Sequence, residues 1–280
     1  MDWSLVLASQ GIETAIENHP EHGWRLVVPE ADMTKARETI EQYRRENLRW
    51  SWRRQVSESG LLFDWAGALW VIINSVFFWF NGTSADLRPA GAMDVAALKQ
   101  GEWWRLFTAE WLHADFLHLA SNSVFGLLLL GLALGRYGTG VGLLAAYLAG
   151  TAGNVASFML HQESHRSLGA SGVVMGALGL LAVQSLALLR QNPRVIRLAL
   201  GGLAGGGMLF LLLGLNPGSD VAAHFSGFVA GILFGAVLAS IPRLAHHHRL
   251  NLAAGLLFAA LVVWTWGLAL RHGATDSFWH

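Results

Sequence analysis

Gly169-Ala170-Ser171-Gly172-Val173-Val174-Met175-Gly176 is the stretch on which the reading of this chain turns. Small residues make a turn, an apolar run follows, and a serine stands at the handover. A helix that begins there leaves its first backbone N–H groups without intrahelical partners. Those groups and the helix dipole favour an anion beside Ser171. A nucleophilic serine makes an oxyanion during acyl transfer and needs such a place. One serine decides nothing alone, because serines commonly pack membrane helices together. The surrounding chain has to supply the rest.

Of the 280 residues, 53% are hydrophobic and only 14% are charged, and mean hydropathy is +0.40. Soluble domains carry roughly 25% charged residues. Thirty-two glycines and thirteen tryptophans fit a polytopic membrane protein with close helix contacts and interfacial anchors. Formal net charge is zero, so no nucleic-acid or other polyanionic partner is indicated. Cysteine is absent, which excludes disulfides, thiol catalysis and cysteine metal sites. The first fifty residues are polar and mixed, so no cleavable signal peptide is expected.

Seven apolar runs follow, at about 61–81, 116–134, 140–160, 169–189, 195–215, 221–241 and 251–270. Each is near the ~20 residues that cross a hydrocarbon core. The expected fold is an all-α polytopic membrane protein, a seven-helix bundle, with a small α+β soluble domain before it. The expected domains are 1–58 for the soluble unit, 59–245 for the first six runs, and 246–280 for the seventh run and tail. In the first, Trp3–Ala8 and Gly23–Pro29 read as short strands and Gly11–Asn18 as a helical turn. Asp32–Glu46 reads as a charged amphipathic helix, with Ala36, Ile40 and Tyr43 on one face. Arg49, Arg53 and Arg54 flank Trp50 and Trp52, the composition of a cytoplasmic membrane boundary.

With the amino terminus in the cytosol, the short inner loops carry Arg136, Arg190, Arg194, Arg197, Arg243 and Arg249. The short outer loops carry only Arg166, which satisfies the positive-inside rule. A multi-pass protein of the cell (inner) membrane is expected. Between spans one and two, Trp103, Trp104, Phe107 and Trp111 mix with Glu102, Arg105 and Glu110. That composition suits a segment lying in the membrane interface.

Three inward-running spans carry polar residues where apolar ones would be cheaper. His118 and Asn122 are four apart on span two and share a helix face. Ser171 opens span four. His224 opens span six, ahead of Gly227, Gly231 and Gly235. All three spans enter from the same side, so these residues lie within about 10 Å of the outer surface. A serine hydroxyl needs a base, and histidine is the usual one. His118, Asn122 and the Ser171 backbone N–H are candidate oxyanion donors. The glycines of span six face Gly172 and Gly176 and would let the two backbones approach. Taken singly, each residue also reads as packing. Polar groups in a bilayer are costly, and four at one depth point to a function.

The remaining polar residues read as structural. His246–His248 lies beside Arg243 and Arg249 without a carboxylate or cysteine, so no metal is expected there. His161 and His165 read as outer-loop residues, Asp64 as a boundary or helix-contact residue, and His113 either as a lining of the site mouth or as a solvated side chain.

These residues resemble the rhomboid family of intramembrane serine proteases. The matching motifs are Trp104-Arg105, His118-Leu119-Ala120-Ser121-Asn122, Gly169-Ala170-Ser171-Gly172, and Ala223-His224-Phe225-Ser226-Gly227 continuing to Gly231. They stand in the family's order and cover about 60–241. The resemblance implies a Ser171–His224 dyad without a third carboxylate and an oxyanion site at His118, Asn122 and Ser171. It implies cleavage of transmembrane segments near the outer face, with no cofactor and no metal. It assigns Trp104 and Arg105 to a structural first loop, Gly169, Gly172, Gly227 and Gly231 to packing, and Asn216–Val221 to a cap. The implied partners are membrane-protein substrates and the lipid bilayer. Two other readings remain at this point. One is a non-proteolytic client-binding protein on the same scaffold. The other is a proton-relay transporter, against which stands the absence of inverted halves.

Overall fold

The computed structural model describes residues 2–19, 23–46, 62–81, 87–191, 220–241 and 247–276. The chain divides into two compact units, Met1–Gly60 and Leu61–His280.

The first unit holds α1 (Asp2–Ser9), the antiparallel pair β1 (Ala15–His19) and β2 (Gly23–Val27), and α2 (Met33–Glu46). Leu7, Ile12 and Ala36 are its buried centre, with Leu26, Val28 and Ile40 packed against them. Two local expectations are corrected here. Trp3–Ala8 is helical, and residues 15–18 of the expected helical turn are a strand. A short apolar run suits a buried helix as well as a strand, and periodicity cannot separate them. Gly11 decides the matter. Its φ of 72° and the bonds Gly11 N–H to Ala8 C=O and Ile12 N–H to Leu7 C=O end a helix. The chain then leaves extended and pairs Ala15 to Val27 and His19 to Gly23.

The second unit contains α3 (Ala66–Asn81), then the short elements α4 (Arg88–Gly91), β3 (Met93–Asp94), α5 (Val95–Lys99) and α6 (Arg105–Thr108). It continues with α7 (Phe116–Tyr137), α8 (Thr139–Leu160), β4 (Arg166–Ser167), α9 (Ser171–Gln191), α10 (Val221–Ser240) and α11 (His248–Asp276). Among the described residues, α7, α8, α10 and the His248–His272 part of α11 are long and apolar enough to cross a membrane. Ala66–Asn81 is a shorter apolar helix, and the Ser171–Gln184 part of α9 is apolar as well. This is a helical, polytopic membrane fold. The span expected at 195–215 lies outside the described residues, and so do residues 216–219 of the expected cap.

Each long helix sorts its faces. On α10, Phe225, Val229, Leu233 and Val237 recur every fourth residue and are exposed, as a lipid-facing stripe requires. Its other face buries Ala223, His224, Gly227, Gly231 and Gly235. That face meets α9 and α8 main chain to main chain. A Cβ on Gly227 would lie 3.0 Å from the Gly172 carbonyl oxygen. One on Gly231 would overlap the Gly176 carbonyl, and one on Gly172 would lie 3.1 Å from the Gly150 Cα. Small residues are what permit this approach.

The connection before α7 is anchored in protein. Trp104 and Trp111 are 5% and 2% exposed, so these two rings of the expected interfacial segment pack into protein. Trp111 Nε1–H donates to Tyr147 Oη at 3.3 Å, and Trp104 stacks on His272 of α11 with centroids 4.4 Å apart. Arg105 donates from Nε to Glu102 at 2.6 Å and from Nη1 to the Ala92 carbonyl at 2.9 Å. β3 pairs with β4, Asp94 opposite Arg166, which ties the connection to the loop just ahead of Ser171. Asp64 receives the Ala66 N–H at 2.9 Å and the Thr139 hydroxyl at 2.5 Å, a helix-start and helix-contact role.

Candidate active site

The turn Gly169-Ala170 delivers Ser171 to the first position of α9. The Gly169 N–H donates to the Ala109 carbonyl at 2.9 Å, so the connection holds the turn in place. Gly169 has φ 140°, a conformation side-chain-bearing residues rarely adopt. A Cβ there would lie 2.7 Å from the His118 ring and 3.6 Å from Ser171 Oγ. The missing side chain is therefore where the His118 ring and the Ser171 hydroxyl come to face a common space.

His224 sits in the first turn of α10 and is 4% exposed. Asp220 starts that helix, with Oδ1 accepting the Ala223 N–H at 3.0 Å and its carbonyl accepting the His224 N–H at 3.0 Å. His224 Nε2 lies 2.6 Å from Ser171 Oγ. At that separation the hydroxyl can donate to an unprotonated Nε2, the arrangement that removes the serine proton as Oγ attacks.

Asp115 caps α7, its Oδ1 accepting the His118 N–H at 2.8 Å. His118 is half-buried, and Asn122 one turn on is 7% exposed. The Asn122 Nδ2 group has no hydrogen-bond partner among the described residues. A buried amide left without an acceptor costs about 1–3 kcal/mol. An acceptor that arrives only during a reaction would use that donor. The geometry thus gathers Ser171, His224, His118 and Gly169, and puts Asn122 a turn below His118.

Two residues near this site are buried, which a reading of the sequence does not show. His113 is 1% exposed, neither a mouth-lining nor a solvated side chain, and lies edge-to-face on His118 with centroids 5.3 Å apart. Burial, with His118 nearby and against the opposing pull of Asp115, lowers its pKa to about 3, so the ring is neutral. Glu110 is 2% exposed and accepts the Thr151 hydroxyl at 3.0 Å. Burial pushes its pKa well above the usual carboxylate range. Its Oε1 would stand 2.9 Å from a Cβ on Gly150, which in turn would stand 2.8 Å from the Val173 nitrogen. Glu110 therefore lies behind the first turn of α9. The one signal for it was a carboxylate among aromatic residues, which reads equally well as an interfacial segment.

Comparison with known proteins gives a consistent answer. Residues 100–241 match the Rhomboid domain, a stretch that contains every residue of the cluster. RHOMBOID-like protein 5 of Arabidopsis thaliana is 31% identical over 191 residues, 67% of this chain and 60% of that protein. Rhomboid protease GluP of Bacillus subtilis is 33% identical over 193 residues, 65% of this chain and 36% of that protein. Rhomboid-like protease 3 of Toxoplasma gondii is 33% identical over 193 residues, 65% of this chain and 72% of that protein. The chain thus spans between about a third and three fifths of the first two relatives. With half its length matched to one domain, and the four motifs in order within that match, the chain belongs to the rhomboid family.

Proposed function

We propose that the protein is an intramembrane serine endopeptidase that cleaves transmembrane segments of membrane proteins near the outer face of the bilayer. Ser171 Oγ attacks the scissile carbonyl carbon while its proton passes to His224 Nε2. The C–N bond breaks as His224 returns that proton to the leaving amine, which leaves an acyl-enzyme. A water then gives a proton to His224 and adds to the acyl carbon. Collapse expels Ser171, which recovers its proton. Asn122, His118 and the Ser171 N–H donate to the oxyanion in both steps.

The observation that carries this reading is the 2.6 Å separation of Ser171 Oγ and His224 Nε2 across two different helices. The unpartnered Asn122 amide and the names of two relatives, both called proteases, support it. We place the six-helix core at residues 59–245, the added helix at 246–280, and the unit at 1–58 on the cytosolic side of the inner membrane, in a seven-span chain. The cation balance of the loops supports that orientation.

A fluorophosphonate probe and a helical substrate in proteoliposomes test the dyad together. Labelling at Ser171 that is lost in His224→Ala, with cleavage lost in Ser171→Ala and His224→Ala, is the expected result. Full cleavage by either variant rejects the mechanism. A Ser171→Ala variant that keeps its cellular effect would instead favour a non-proteolytic client-binding role.

A further inference from the structure

A second polar cluster stands at the outer end of the bundle, beside the proposed dyad but not part of it. His161 ends α8, His165 lies four residues further on, and Asp220 begins α10. One nitrogen from each histidine and one carboxylate oxygen lie within 4.8 Å of one another. We propose that His161, His165 and Asp220 form a binding site for a divalent cation of the zinc class, which ties the outer end of α8 to the first turn of α10.

The donor set is the first argument. Two imidazoles and a carboxylate suit zinc and leave a fourth position for water. Calcium and magnesium prefer all-oxygen sites and fit poorly here. Geometry is the second. The two imidazoles stack with centroids 3.8 Å apart and 10° between planes, which brings a nitrogen of each to one place beside Asp220, and rotation of one ring is needed to point both lone pairs at a shared ion. Ser157 Oγ marks that place. It is 3.2 Å from His161 Nδ1, 3.3 Å from His165 Nε2, and donates to Asp220 Oδ2. His165 Nε2 and Asp220 Oδ2 are 3.0 Å apart. Neighbouring ligand atoms on a tetrahedral zinc ion stand about 3.3 Å apart, given metal–ligand bonds near 2.0–2.1 Å.

Access and attachment complete the case. The His165 side chain is 24% exposed and opens the cluster to outside water, while the Asp220 side chain is 7% exposed. Ser157 is fully buried beneath them. Asp220 divides its oxygens: Oδ1 holds the Ala223 N–H, and Oδ2 faces the histidines. A cation can take Oδ2 and leave the helix cap intact. Binding needs both imidazoles neutral with a lone pair at the ligating nitrogen: His161 gives up its 3.0 Å contact from Nδ1 to the Ser157 carbonyl, and the Ser157 hydroxyl turns its proton away from Asp220. Because the His224 N–H donates to the Asp220 carbonyl, the ion would sit about one turn above the proposed base.

Co²⁺ is the probe, since four-coordinate Co²⁺ absorbs strongly in the visible range and replaces zinc in such sites. The full chain is stripped with chelator in detergent micelles and titrated with CoCl₂, then with ZnCl₂. A variant with His246→Ala, His247→Ala and His248→Ala serves as the parent, which removes the other histidine run. The proposal expects an intense absorption that saturates at one ion per chain and is displaced by Zn²⁺. It expects that signal to be lost in His165→Gln and in Asp220→Asn, where asparagine still caps the helix. It also expects Zn²⁺ to raise the thermal midpoint of the parent and not of those variants. A titration unchanged by His165→Gln, or no absorption in the parent, overturns the proposal and leaves the cluster a hydrogen-bonded cap. No readout depends on peptide cleavage, so failure of the protease reading leaves this test intact.

Discussion

Gly231→Ala is the sharpest test of how the site is held together. The added Cβ would overlap the Gly176 carbonyl oxygen and lie 2.9 Å from the Gly176 carbonyl carbon and Cα. These are main-chain atoms of α9, so no rotamer change relieves the overlap. Ordinary contact distances require α9 and α10 to separate by about 1 Å. If the displacement carries to the top of the helices, the 2.6 Å contact of Ser171 with His224 becomes about 3.6 Å, beyond hydrogen-bond range. A misplacement of that size costs about 10²-fold in rate. Forced separation of a packed core costs about 1–3 kcal/mol, partly offset by the ~1 kcal/mol advantage of alanine over glycine in a helix. The assay is cleavage of a single-span substrate in proteoliposomes, with thermal unfolding read in parallel. Gly267→Ala in α11 is the control, because nothing lies within 4 Å of its added Cβ. A Gly231→Ala variant that cleaves and unfolds like the parent would refute the claim that main-chain contact sets the spacing.

Two further outcomes follow from buried groups. Asn122→Ala is expected to lower turnover about 10²-fold, as loss of one oxyanion donor does. It should do so without lowering the thermal midpoint, because the Nδ2 group it removes has no partner among the described residues; a matched fall in stability would mean a packing role instead. Glu110→Gln should change how stability varies with pH. The folded pKa of Glu110 is raised, so the folded state holds a proton that the unfolded state releases above the ordinary carboxylate value. Its contribution is complete below about pH 4.5 and is lost as pH rises toward the raised value, by about 1.4 kcal/mol per pH unit. Thermal midpoints of the parent should therefore fall relative to Glu110→Gln as pH rises from about 5. Parallel curves would exclude a titrating Glu110.

The membrane-crossing character of the chain was legible because lipid imposes one strong rule on long helices. The cluster was legible because Ser171, His118, Asn122 and His224 are expensive in such helices. The small elements of the first unit were not legible in the same way. Trp3–Ala8 carries no period long enough to separate helix from strand, and its state follows from the stop at Gly11 and from Leu7 packing near Ala36. The burial of Trp104 and Trp111 was not legible for a related reason. Aromatic residues suit a lipid interface and a protein core equally, and only tertiary contacts with Tyr147 and His272 separate the two. The convergence of His161 and His165 on Asp220 joins positions 55 and more apart in the chain, which no local pattern encodes.

The hydroxyl and its base come from different helices, 53 positions apart. During synthesis the serine reaches the bilayer well before the imidazole does. Until α10 is threaded in and seated, Ser171 lacks the imidazole that the proposed mechanism gives it as its base. On the proposed mechanism, a nascent chain is therefore harmless to its neighbours in the insertion machinery. Reactivity arrives late, with completion of the bundle, and needs no propeptide to delay it.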